Sequence, residues 1–108
     1  MSSPILTPDA CQTMPDIRAG IDSIDREVLA LLGRRMRYIE AAARVKHARS
    51  TVRDEARKAD VLDKVGASAR AADFPEALAR ALYEQLVEAS IAHEFTVFDA
   101  LSRAAPEK

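Results

Sequence analysis

The chain has 108 residues, 48% of them apolar and 31% charged, with a net charge of −1. That length predicts one domain, and so even a charge balance argues against nucleic acid as the main partner. A lone cysteine, Cys11, excludes a disulfide framework, and two histidines, His47 and His93, are too few for a histidine metal cluster.

Alanine accounts for 21 residues and phenylalanine for only three, so a single chain has a thin core and is expected to oligomerise. No apolar run reaches the 18 or so residues of a membrane span. The start of the chain, MSSPILTPDACQTMP, has neither a basic stretch nor a long apolar one, so it predicts no signal peptide and a cytoplasmic location.

Residues 1–13 hold two prolines and little periodicity and read as a flexible arm; residues 14–105 read as one helical domain. Thr13, Pro15 and Asp16 supply a hydroxyl cap, a first-turn proline and an acid at the positive end of a helix dipole. The helix they predict runs from Asp16 to Ala48. Ile17, Ile21, Ile24, Val28, Leu31, Met36 and Ile39 line one side of it. At about 1.5 Å per residue it is roughly 50 Å long, too long for a small domain to enclose, so it must protrude or be covered by a partner. Gly33 within it costs about 1 kcal/mol relative to alanine.

The periodicity fails at Arg49-Ser50-Thr51-Val52, which predicts a short connection. Asp54 then caps or opens a second helix with a stripe of Val61, Leu62 and Val65. Gly66 and Ser68 weaken that helix, and Asp73-Phe74-Pro75 ends it. Asp73 and Glu76 resemble a capping box for a third helix reaching about Arg103. Its stripe is Leu78, Leu82, Leu86, Ser90, Ile91, Glu94, Phe95, Phe98 and Leu101. No β-branched alternation or hairpin signal occurs, so the fold class is all-α: long, short and long helix.

Charged residues interrupt the apolar faces. Arg35 and Lys46, about three turns apart, lie on one side of the first helix; Ser90 and Glu94 are one turn apart on the third. Buried charges need partners or a ligand. Two readings stand: a register-fixing salt bridge from Glu94 to Lys46 or Arg35, or an interhelical pocket whose cations clamp an anion. Arg18 lies about 42 Å along the helix from Lys46, so it can join the same site only from an antiparallel second chain. Asp54 and Arg57 either close the site from the side or form an exposed pair on the second helix. His47 and His93 read as surface residues, and Arg34 and Arg37 as a solvated face beside Glu27 and Glu40.

The run DIRxxIDxIDxxxxxLLxRRMxYIxAAxxxK, then VRDxxR, then Ser90 and Glu94, resembles the all-helical (type II) chorismate mutases and the related isochorismate pyruvate lyases over roughly residues 14–98. The resemblance implies an intertwined homodimer and a chorismate mutase, with isochorismate pyruvate lyase as the alternative. Arg35 and the partner subunit's Arg18 would bind the two substrate carboxylates, and Lys46 the ether oxygen and a carboxylate. Asp54 would lie near the ring hydroxyl, Arg57 would support the pocket wall, and Ser90 and Glu94 would face the substrate.

The reaction the resemblance implies is pericyclic and uses no metal and no cofactor. Such a site holds a dianion in a compact chair and donates hydrogen bonds to the ether oxygen. Glu94 is then expected to act as a neutral acid, favoured by apolar surroundings and opposed by Lys46. Two departures stand out, since many bacterial members carry glutamine at the position of Glu94 and many mutases glutamate at that of Lys58. The GRRMxY and AA features are lyase-like, whereas the VRD link and Ser90 are mutase-like. From another class, a helical dimerisation or regulatory module would have no need of Arg18, Arg35 and Lys46 together.

Overall fold

The computed structural model describes residues 4–104. Residues 1–3 of the expected arm and residue 105 of the expected domain lie outside them. A 3-10 turn at Pro8–Ala10 precedes α1 (Met14–Val45); a second at Arg49–Thr51 leads to α2 (Glu55–Ala71), and α3 (Glu76–Ala104) follows. Among the described residues there is no strand, and no helix is long and apolar enough to cross a membrane. The chain is all-α, with helices in the expected order.

The start of α1 is a reciprocal cap. Asp16 N–H donates to Thr13 Oγ1 at 3.2 Å, and Thr13 N–H donates back to Asp16 Oδ2 at 3.2 Å. The amide of Gln12, with further help from Thr13, holds the Asp16 carboxyl below the usual carboxylate range. The helix ends at Val45, three residues short of the expected Ala48. Thr51 explains the difference: its hydroxyl and its N–H both donate to the Ala48 carbonyl, at 2.6 and 3.0 Å. That local bonding holds Ala48 in an extended conformation, φ −130°, in competition with another helical turn.

The chain divides into two compact units, Met1–Met36 and Arg37–Lys108. In the first, Ile5 and Leu6 share an apolar groove with Ile17, Ile21 and Ile24 of α1. The α1 face stays open to water even so: Ile21, Ile24 and Leu31 are each more than half exposed.

In the second unit α2 and α3 pack as an antiparallel pair. Its buried apolar residues are small: Ala43, Val52, Ala69, Ala79 and Val87. The expected thin core is therefore present, three of its five members being alanine. On α3 the buried face consists of Ala79, Val87, Ser90 and Glu94, while Leu78 and Leu82 of the expected stripe are 48% and 57% exposed. The stripe is displaced by one residue at its start. Ala79 is buried, as are Gly66 and Ala69 of α2. A Cβ on Gly66 would meet Arg80 and Glu76 at 2.8 Å, so α2 runs through this glycine where a weakening was expected.

Asp73 also differs from expectation. It forms no capping box with Glu76; it sits at φ +54° just beyond α2. Phe74 N–H donates to Ala69 O at 2.8 Å and Asp73 N–H to Arg70 O at 3.2 Å, the paired bonds of a Schellman end. Glu76 is occupied by Arg70 and Arg80. Because a left-handed residue with a Cβ costs on the order of 1 kcal/mol, Asp73→Gly should raise the urea midpoint at unchanged slope.

Candidate active site

Lys46 follows α1 directly, and the packing of α3 brings it to Glu94. Its Nζ lies 2.7 Å from Glu94 Oε2. Glu94 is 4% exposed and Ser90, one turn earlier, 3%. Both are polar side chains on the face that α3 buries. The salt bridge read as one of two possibilities therefore forms, between Lys46 and Glu94.

The contact is one of charge rather than a directed hydrogen bond. The buried Glu94 Oε2 takes no hydrogen bond of acceptable geometry within the chain, although the ammonium is close enough to compensate its charge. The Lys46 ammonium donates to the Val52 carbonyl, 3.4 Å away. The Ser90 hydroxyl donates to Leu86 O at 2.7 Å, back along its own helix. A buried pair of this kind adds little net stability, because desolvation offsets attraction.

Around this pair, His93 departs from its surface reading. Its Nε2 lies 2.8 Å from Glu40 Oε2 of α1, and both side chains are about two-thirds covered. Glu40 also takes Arg37 at 3.0 Å, in line with the solvated charge reading of Arg37. His47 is exposed. The carboxylate partner of His93 lies 53 positions away in sequence, so local spacing could not reveal it.

Asp54 caps α2, its Oδ1 accepting from Arg57 N–H at 2.9 Å. The Arg57 guanidinium is 61% exposed and pairs with Asp60 at 2.7 Å. Lys58, at the position where many mutases carry glutamate, is well covered and bonds to Glu84 at 2.5 Å and Glu88 at 2.9 Å. Arg53 joins Glu88 at 2.7 Å. The residue-by-residue reading missed this network, whose one sequence signal is the i,i+4 pair of acids Glu84 and Glu88.

Arg53 first, and then Lys58, hold the Glu88 carboxyl down at about 2, from an ordinary 4.5. A lowered carboxylate contributes stability above its unfolded value and loses it as pH falls through the folded one. The stability difference between wild type and Glu88→Gln, small because water screens this half-exposed pair, should thus level off above pH 4.5 and vanish toward pH 2, as acid titrations of both proteins would show.

Arg18 is exposed and Arg35 half-buried, and both belong to the first compact unit. The second unit brings together Lys46, Ser90 and Glu94.

A partly covered lysine thus meets a buried carboxyl group, with a buried hydroxyl one turn away, on an all-helical chain. The chain belongs to the type II chorismate mutase family, whose model matches residues 17–95. It is 32% identical over 88 residues to an isochorismate pyruvate lyase of Pseudomonas aeruginosa, covering 82% of this chain and 87% of that protein. The protein is accordingly an enzyme of the group that joins these mutases and lyases.

Proposed function

We propose that the protein is a chorismate mutase acting as a homodimer. The observation that carries this reading is the buried Lys46–Glu94 pair beside Ser90 on α3. In the proposed reaction the ether C–O bond breaks as a C–C bond forms within one molecule, giving prephenate without any group leaving. Lys46 donates to the ether oxygen, on which negative charge grows, and Glu94 in its neutral form donates from the other side. Arg35 and the partner subunit's Arg18 hold the two carboxylates so that the floppy dianion is kept in a chair. Asp54 lies toward the ring hydroxyl, and Arg57 supports the pocket wall.

Support for the dimer comes from α1. Ile17, Ile21, Ile24, Val28 and Leu31 are each at least 39% exposed along one face. A second copy laid along that face would cover it and supply the distant Arg18. On this reading residues 14–105 form one domain and residues 1–13 its arm.

The second reading, isochorismate pyruvate lyase, is favoured by the 32% identical relative of that name. The same pocket can hold either substrate, so the decision is experimental. Purified protein is incubated separately with chorismate and with isochorismate, and the products are resolved chromatographically. Prephenate from chorismate supports the mutase. Salicylate and pyruvate from isochorismate, without prephenate, replace it with the lyase. Turnover of neither substrate would leave a helical dimerisation module.

A further inference from the structure

Lys46 and Asp54 stand at the two ends of a nine-residue link between α1 and α2. Apart from one 3-10 turn, that link has no regular structure to hold it. Side chains hold it instead, and at two points. Arg49 donates to Asp99 at 2.9 Å and lies 4.4 Å over the Phe95 ring. Arg53 donates to both oxygens of Glu88, at 2.7 and 3.2 Å, and Lys58 reaches the same carboxylate from α2.

Glu88 and Asp99 are eleven residues apart on α3 and bracket Ser90 and Glu94. At 1.5 Å per residue the two anchors span about 16 Å of helix. Between them Val52 is 3% exposed, and its carbonyl is one of the two groups facing the Lys46 ammonium. The link is thus tied to α3 at positions either side of Glu94, with the lysine's backbone acceptor between the two tied residues of the link. The proposed reaction uses neither of the two ties.

We infer that the Arg49–Asp99 and Arg53–Glu88 pairs form a two-point latch that sets the Lys46 ammonium over α3, making Asp99 and Glu88 positioning residues. The inference rests on the proposed function for its catalytic consequence but not for its geometry. Each tie is partly exposed, and such pairs contribute little to global stability. Their effect falls on local opening of the link, which is a separate equilibrium.

The test is the double variant Glu88→Gln/Asp99→Asn, read three ways. Amide exchange at Thr51 and Val52, whose N–H groups close the 3-10 turn, should accelerate several-fold while the thermal midpoint barely moves. Acetylation of Lys46, followed by mass spectrometry, should rise several-fold relative to Lys64, which is already 69% exposed. On whichever substrate the wild type turns over, kcat should fall roughly tenfold with KM changing less, as expected when a transition-state contact is misplaced.

Unchanged exchange and unchanged Lys46 labelling overturn the latch. Faster labelling with unchanged kcat overturns the positioning role. If the wild type turns over neither substrate, the proposed function fails, while exchange and labelling still decide the latch.

Discussion

Lys46→Met should lower kcat/KM by about 10²–10³-fold, the usual loss when one preorganised donor to a developing oxyanion is removed. Methionine keeps much of the stem and removes the charge, so the packing beside Val52 survives while the donor disappears. The same change strips Glu94 of the cation 2.7 Å from its buried oxygen. Breaking a buried pair costs about 3–5 kcal/mol. The cost here falls below that range, because the Lys46 side chain is 29% exposed and the abandoned carboxyl group can take up a proton.

Stability and turnover therefore separate. Adding Glu94→Leu to Lys46→Met should restore the urea midpoint by removing the unpaired carboxyl group, yet restore no activity. Initial rates and denaturation curves on the two variants measure both effects. Turnover by Lys46→Met within tenfold of wild type would remove the lysine from the mechanism.

Glu94→Gln should change the form of the pH profile more than the rate at any one pH. An ionised Glu94 repels the oxygen of the breaking bond, and a protonated one donates to it. Wild-type kcat should therefore decline with rising pH, approaching tenfold per unit once the carboxyl has ionised. The amide carries no proton to lose, so the variant should be flat across that range and overtake wild type at its alkaline end. A glutamine variant with the wild-type slope would assign the ionisation to another group.

Much of this molecule could be read residue by residue. The cap of α1 depends on Thr13 and Asp16, three positions apart, and such reciprocal hydrogen bonds need nothing beyond their own turn. Helix order follows from periodicity and breakers. The meeting of Lys46 and Glu94 was legible for a different reason, since two opposite charges on apolar faces have few ways to avoid the cost of burial except each other.

What the sequence by itself determined, then, was the three helices, the start of α1 and the two charges that had to meet. Tertiary structure alone decided which neighbours the other residues took. Asp73 reads equally well as a cap for α3 or a stop for α2, and the left-handed turn chosen by the α2–α3 pairing settled it. The buried face of α3 starts at Ala79 rather than at Leu78 and Leu82, and it is burial of Gly66 and Ala69 on α2 that accompanies it. His93 met Glu40, and Arg53 and Lys58 met Glu88, across 53, 35 and 30 positions of chain. Local spacing specifies hydrogen bonds within a turn. Partners that far apart are chosen by the distance and register at which whole helices pack.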